Sequence, residues 1–105
     1  MTTFDDRETA FEAKFAHDEE MTFKAVARRN KLTGLWAAGL LGKSGAEADE
    51  YAKSVVLADF EEAGHEDVVR KLLADLGDRT DAAAIRAKMD EMLLVAKQQL
   101  MNEAD

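Results

Sequence analysis

Neither cysteine nor proline occurs in the 105-residue sequence. The lack of cysteine excludes disulfides, thiolate nucleophiles and cysteine-ligated zinc sites, and it suits a reducing compartment. Proline disrupts the interior of a helix, so its complete absence favours helices. The sequence also has no run of alternating β-branched residues of the kind that marks a strand. We therefore expect an all-α fold.

Long apolar segments are absent as well. The longest runs from Leu35 to Leu41, far short of the roughly 20 residues that cross a bilayer. The start, Met-Thr-Thr-Phe-Asp-Asp, lacks the basic and apolar regions of a secretory signal. These features predict a cytoplasmic protein that does not insert directly into a membrane.

Positive charge is scarce, since 14 lysines and arginines face 22 acids and the formal charge is −8. Residues 1–20 hold seven acids and two bases, and therefore −5 of that total. Binding to DNA or RNA depends on Lys and Arg that neutralise phosphates. The charge thus argues against a nucleic-acid partner and suits a basic groove on another protein.

Apolar residues at three- and four-residue spacings predict a long first helix that ends at about Leu41. Asn30 and Gly34 are weak points, because both residue types lower helix propensity. The apolar face predicted for this helix consists of Met21, Ala25, Val26, Leu32, Leu35, Trp36, Gly39 and Leu40.

Three further helices are predicted after it. Ser44 and Glu47 have the spacing of a capping box at the start of the second helix, which we expect to end at Gly64. A third, short helix carries the clearest apolar stripe, closed by Gly77. The last helix begins after Thr80 or Asp81, either of which can cap it. The stripe of the third helix comprises Val68, Val69, Leu72, Leu73 and Leu76.

Amphipathic helices joined by short turns bury their stripes by packing together, so residues 18–105 are predicted to form a four-helix bundle. Residues 1–17 form a separate N-terminal segment that we expect to be mobile or helical. The residues predicted for the centre of the core are Phe23, Leu35, Trp36, Tyr51, Phe60, Leu72 and Met89.

A glycine-rich stretch before the second helix resembles a phosphate-binding loop. The residues from Ala37 to Ser44 match G-x-x-x-x-G-K-S except that Ala37 replaces the first glycine. A true loop of this kind follows a strand, whereas helical periodicity precedes this one. A weaker possibility stays open, in which Lys43, Ser44 and Gly45 hold a nucleotide phosphate at the start of a helix.

Catalytic and metal-binding patterns are incomplete. His65-Glu66 begins like a zinc-protease motif, but the second histidine it requires is replaced by Val69. His17 and Glu20 share a helix face without a third ligand. Adjacent carboxylates point in different directions on a helix, and no serine has a triad context. The sequence therefore predicts no enzyme, no catalytic or metal site and no cofactor.

One basic cluster stands out, formed by Lys24, Arg28, Arg29 and Lys31. Pairing of Glu20 with Lys24 at i,i+4 explains part of it as local stabilisation. The cluster could equally receive an acidic patch of a partner, or the acidic N-terminal segment of the chain itself. The structural interpretation is favoured.

The N-terminal segment combines acids with three of the five phenylalanines. Phe4, Phe11 and Phe15 are spaced seven and four residues apart, and so lie on one face of a helix. This face could dock on the chain's own bundle. Alternatively, its aromatic anchors could enter a groove of a partner, as helix-in-groove ligands do. Spacing alone leaves both interpretations open.

Three stretches carry a resemblance to a known family. They are F-D-D-R-E from Phe4, F-x-x-K-F-A-H-D from Phe11 and R-R-N-K-L-x-G-L-W-A-A from Arg28. They resemble the ζ subunit of alphaproteobacterial F-type ATP synthases, the ATPase-inhibitor family, and the similarity runs through essentially the whole chain. The resemblance implies a four-helix-bundle regulatory subunit that restrains ATP hydrolysis and is peripheral on the inner membrane when bound to the enzyme.

In that family the N-terminal segment inhibits by entering a catalytic α/β interface and reaching the rotor γ subunit. The resemblance therefore implies the α, β and γ subunits of ATP synthase as partners. By position, it assigns partner binding to Thr2, Thr3, Phe4, Asp5, Asp6, Arg7, Glu8, Phe11, Lys14 and Phe15. The alternative is a small nucleotide- or anion-sensing module that uses the turn from Gly42 to Glu47, with weak nucleotide binding.

Overall fold

The computed structural model describes residues 18–60 and 65–104. These form four helices, α1 (Glu19–Leu40), α2 (Gly45–Ala58), α3 (Glu66–Leu76) and α4 (Ala82–Ala104), with a 3₁₀ turn at Gly77–Arg79. The described residues contain no strand. Each helix contacts the next along the chain, and α1 also packs against α4. The predicted all-α bundle is confirmed.

Aspartate side chains cap the starts of α1 and α4. Asp18 begins α1, where its Oδ1 accepts a hydrogen bond from the backbone N–H of Met21 at 3.0 Å. Asp81 does the same for α4, accepting from the N–H of Ala84 at 2.8 Å. α3 ends directly before Gly77. The sequence-based ends of the first and third helices and the Asp81 cap are confirmed.

Two predictions about α2 are wrong. Ser44 occupies the N-cap position, but its side chain makes no capping hydrogen bond. Gly45 has a φ of +57°, far from the helical value that a capping box requires at this point. The helix also ends at Ala58 rather than Gly64. The next residue, Asp59, turns its carboxylate towards α1, where it accepts from Asn30 Nδ2 at 2.9 Å.

The main core lies between all four helices and is apolar. Its buried members are Ala37, Val55, Val68, Val69, Leu72, Leu76, Ile85 and Met89. A smaller cluster joins the first turns of α1 to the last turns of α4 through Ala25 and Leu100. The stripe predicted for α3 is confirmed, with Leu73 partly buried beside it.

The central core residues were predicted with mixed success. Leu72 and Met89 are buried, and Trp36 and Tyr51 are partly buried against the main core. Leu35 is half-buried. The predictions for Phe23 and Phe60 are wrong, since these side chains are 57% and 61% exposed.

The buried face of α1 is not the predicted apolar one. Of the predicted residues only Ala25 is buried, while Gly39 and Leu40 are exposed. Small and polar side chains face the interior instead, because small residues let a neighbouring helix approach closely. Thr33, for example, satisfies its hydroxyl by donating to the carbonyl of Arg29 at 2.8 Å. The buried residues of α1 are Ala25, Arg29, Asn30, Thr33, Gly34, Ala37 and Ala38.

Gly34 marks the closest approach of α1 and α2. The helix continues unbroken through it, although its residue type predicted a weak point. A Cβ atom at Gly34 would lie 2.7 Å from the Cα of Ala52 and 3.2 Å from Cγ2 of Val55. The first distance involves backbone, so a side chain here would push the helices apart. By contrast, a Cβ at Gly39 would meet nothing within 4 Å.

We expect Gly34→Ala to lower the free energy of unfolding by about 1–3 kcal/mol, the usual cost of overpacking a core. Gly39→Ala is the matched control on the same helix, and it should be neutral or stabilise by at most about 1 kcal/mol because alanine favours helix. Urea unfolding monitored by circular dichroism measures both changes. Equal effects of the two substitutions would show that α1 and α2 are not packed this closely.

Candidate partner-binding interface

All ten residues assigned to partner binding lie outside the described residues. They are Thr2, Thr3, Phe4, Asp5, Asp6, Arg7, Glu8, Phe11, Lys14 and Phe15. His17, considered above with Glu20 as an incomplete metal site, lies outside them too. The structure does define the point at which the described chain starts. Asp18 has extended backbone with φ −121° and ψ 101°, and α1 follows it at once.

The first turns of α1 are held firmly by α4. Met21, Leu93 and Met101 pack around the small cluster of Ala25 and Leu100. This contact places the start of α1 beside the last turns of α4. Asp18 therefore lies at the end of the bundle where α1 begins and α4 ends.

An ion pair between Arg28 and Glu103 reinforces the same end. Arg28 Nη2 donates to Glu103 Oε1 at 2.9 Å, and Nη1 bonds the other carboxylate oxygen. The hydrogen bonding between these two side chains lowers the pKa of Glu103 and raises the pKa of Arg28. Exposed pairs of this kind contribute little to stability, but the bidentate geometry fixes the orientation of both side chains.

A polar group that is buried at its α1 residues and half exposed at His65, which we call the polar junction, connects α1 to the ends of α2 and α3. It comprises Arg29, Asn30, Asp59 and His65. Arg29 Nη2 donates to Asn30 Oδ1 and to His65 Nδ1, both at 2.9 Å, and lies 3.8 Å from Asp59 Oδ2. The Arg29 side chain is only 5% exposed and that of Asp59 12%.

Burial and nearby negative charges have opposite effects on the pKa of Arg29 in the polar junction. Burial lowers the pKa of Arg29, and the negative charges of Asp59 and Asp90 oppose that effect. A guanidinium stays protonated throughout the range in which proteins fold. It therefore acts as a donor to His65, whose Nδ1 must accept. The junction is a structural element that joins three helices.

Three of the four residues in the basic cluster form ion pairs within the chain. Lys24 pairs with Glu20 at 3.2 Å, as the i,i+4 spacing predicts. Arg28 reaches across to α4, and Arg29 is buried in the polar junction. Lys31 is exposed. These contacts support the structural interpretation of the cluster.

Two aromatic rings form an exposed pair at the surface. Phe23 of α1 and Phe60, just beyond α2, have ring centroids 5.9 Å apart and are tilted by 32°. Both side chains are more than half exposed. No sequence pattern indicated this pair, because periodicity assigns phenylalanine to a core. We call it the aromatic pair.

The candidate phosphate-binding turn lies at the start of α2. Lys43 lines an open depression there together with Ala46, Glu47, Glu50 and Tyr51. The two carboxylates offset the lysine, which disfavours an anion. The helix α1 precedes this turn, so the strand required by a true phosphate-binding loop is missing among the described residues. Nucleotide binding by Lys43, Ser44 and Gly45 stays a prediction.

The residues around His65 have structural partners. Glu66 accepts two hydrogen bonds from Arg86, at 2.7 and 2.9 Å, and these lower its pKa. Asp67 pairs with Arg70. Val69, which occupies the position of the second histidine in a zinc-protease motif, is buried in the core. In the described part of the chain, no three His, Asp or Glu side chains are grouped as a metal ion requires.

The described helices are too short or too polar to cross a membrane, since none of them combines the length with the apolar content that a crossing requires.

Comparison with known proteins decides the family. A family model described as ATPase inhibitor subunit zeta matches residues 1–99. The chain belongs to the zeta inhibitor family. A comparison with curated proteins found no match. Among solved structures, a protein determined by NMR in solution is 63% identical, with a TM-score of 0.74. The similarity covers 79% of this chain and 98% of that one.

Membership of the zeta family confirms the resemblance seen in the sequence. It gives the chain a regulatory role as an inhibitor of ATP synthase and makes ATP synthase its partner. The match begins at residue 1 and so includes the acidic, phenylalanine-bearing segment.

Proposed function

We propose that this chain inhibits ATP hydrolysis by F-type ATP synthase when its N-terminal segment enters a catalytic α/β interface and reaches the γ subunit. The observation that carries the proposal is the extent of the family match, which starts at residue 1 and spans the segment. In this role the protein is peripheral to the membrane that holds the enzyme. It performs no chemistry of its own.

The segment has the composition of a ligand for a basic, partly apolar groove. Isolated helices of about 15 residues are marginal in water, so ordering the segment on a partner costs several kcal/mol. Burial of Phe4, Phe11 and Phe15 would offset that cost, because aromatic anchors carry much of the energy at interfaces. The surrounding acids would speed encounter with arginine-rich surfaces.

The bundle supplies the steric part of the mechanism. A single α-helix with its side chains is about 10–12 Å wide, whereas the described part of the chain measures 45 × 27 × 26 Å. A cleft that admits one helix therefore excludes the bundle. The segment would enter the cleft, and the bundle would remain outside at the entrance.

The proposal is tested by adding the full chain to the cognate enzyme and measuring steady-state ATP hydrolysis. We expect saturable inhibition, and at least about tenfold more protein should be needed for half-inhibition after Phe4→Ala and Phe11→Ala together. Leu94→Ala removes an apolar side chain that is 56% exposed on α4 and serves as the control. Hydrolysis that is unaffected by a large excess of the unmodified chain would refute the function.

A further inference from the structure

The aromatic pair is an unusual surface for so charged a protein. Single exposed apolar side chains are common on proteins. Here, however, two rings from different parts of the chain, Phe23 and Phe60, meet at 5.9 Å and stay 57% and 61% exposed. Aromatic side chains bury 150–250 Å² each at interfaces, and exposed apolar patches often mark binding sites. The pair therefore offers a preformed contact for a partner.

Acidic residues lie beside the aromatic pair. Glu19 and Glu20 precede Phe23 by four and three residues, which places them next to it on the same face of α1. Asp18 lies one residue earlier. The Glu20 side chain is 78% exposed. We call these three residues the acidic rim. Lys24 pairs with Glu20 at 3.2 Å, so the rim and Lys24 together hold three acids against one base, a net negative charge that complements a basic partner surface.

This charge disfavours the chain's own N-terminal segment as the occupant. The segment carries Asp5, Asp6, Glu8 and Glu12 against Arg7 and Lys14. Its acids would face the acidic rim across a short distance, and like charges at close range repel. Aromatic contacts within the chain would have to overcome that repulsion.

A second copy of the chain is disfavoured for two reasons. Each copy has a formal charge of −8, so approach of two copies is repulsive. The two rings together expose roughly 250 Å², whereas a stable dimer buries about 800 Å² on each partner.

We infer that the aromatic pair is a second docking surface for ATP synthase, and that it fits an apolar patch edged by basic residues at the entrance of the cleft that the segment enters. This inference rests on the proposed function. Phe23 follows Phe15 by eight residues, and the last of these, from Glu19 on, are helix. The two residues are therefore about 12 Å apart if the helix continues and at most about 20 Å apart otherwise. The pair is therefore within reach of the cleft's edge when the segment is inserted.

Two linked contacts predict a particular form of inhibition. The segment produces the inhibition, and the aromatic pair raises the affinity by holding the segment close to its site. Loss of the pair should therefore raise the concentration needed for half-inhibition and leave the maximal inhibition unchanged. Loss of the segment should remove inhibition altogether.

The experiment uses the full chain with Phe23→Ala and Phe60→Ala combined, and Leu94→Ala as the matched control. Leu94 is as exposed as Phe23, at 56%, but lies on α4. We expect half-inhibition to need about tenfold more of the double variant and an unchanged amount of the control. A fluorescently labelled full chain gives a second readout, its binding to the enzyme by anisotropy. Because the rings are exposed, the melting temperature should stay close to that of the unmodified chain.

Each other outcome overturns the inference. Unchanged half-inhibition would mean that the pair does not contact the enzyme. Stronger inhibition by the double variant would mean that the pair retains the chain's own segment. Dimers of the unmodified chain in sedimentation, lost in the variant, would identify a second copy as the occupant.

The anisotropy measurement separates this inference from the proposed function. If the unmodified chain binds without inhibiting, and the double variant binds about tenfold more weakly, the proposed function fails and the docking surface stands. If the unmodified chain neither binds nor inhibits, both fail.

Discussion

A chain that lacks residues 1–16 is expected to leave ATP hydrolysis uninhibited while it melts like the full chain. The deletion keeps Asp18, whose side chain caps α1. The two core clusters of the described residues are built from residues between Met21 and Met101, so the bundle should keep its packing. Enzyme assays and thermal unfolding followed by circular dichroism measure the two expectations separately.

A chain with residues 1–16 in scrambled order is the appropriate control for this truncation. It keeps the length and charge of the segment but removes the shared face of Phe4, Phe11 and Phe15. We expect it to inhibit poorly, because charge alone does not position the anchors. Full inhibition by the truncated chain would contradict the proposed mechanism and place the inhibitory element within the bundle.

Changing Arg29 to alanine is expected to reduce the free energy of unfolding by about 3–5 kcal/mol, the cost of removing one partner of a buried ion pair. The substitution leaves the buried Asp59 carboxylate without its cation. It also removes the donors to Asn30 and His65. The melting temperature should fall by more than about 10 °C.

Arg28, the preceding residue on the same helix, provides the comparison. Its guanidinium pairs with an exposed glutamate, Glu103, and exposed pairs contribute about 0–1 kcal/mol. Arg28→Ala should therefore shift the melting temperature by only a few degrees. Similar losses for both arginines would contradict the buried position of Arg29.

Local signals in the sequence were sufficient for the number of helices and for several of their ends. The apolar stripe of α3 is dense enough that its burial follows from periodicity alone. Asp81 caps α4 because an acidic side chain before a helix accepts an orphan N–H with little dependence on tertiary contacts. The end of α2 was missed. Directly beyond that end, Asp59 accepts a hydrogen bond from Asn30, 29 residues away, and local periodicity cannot indicate such a contact.

The buried face of α1 could not be predicted from the sequence. Periodicity assigns a face by apolar character, and this helix buries Arg29, Asn30 and Thr33 instead. Their burial becomes favourable only once distant groups such as Asp59 and His65 supply hydrogen bonds. Periodicity also failed to indicate the aromatic pair, because it assigns a phenylalanine at helical spacing to the core.

The candidate interface is predicted on a different basis, and its residues stay a prediction. The spacing of Phe4, Phe11 and Phe15 left two interpretations open, and the resemblance to the zeta family favoured partner binding. The family match confirms the family. The individual contacts of these residues depend on the surface of the enzyme. A single sequence contains no information about that surface.

The polar interior face of α1 also affects how stability varies with temperature. Exposing apolar surface on unfolding raises the heat capacity, whereas exposing polar surface lowers it. Unfolding α1 releases Arg29, Asn30 and Thr33 together with small alanines, so this helix adds little to the heat-capacity change. The stability curve of the protein should therefore be broader and flatter than that of a bundle whose longest helices are lined with leucine.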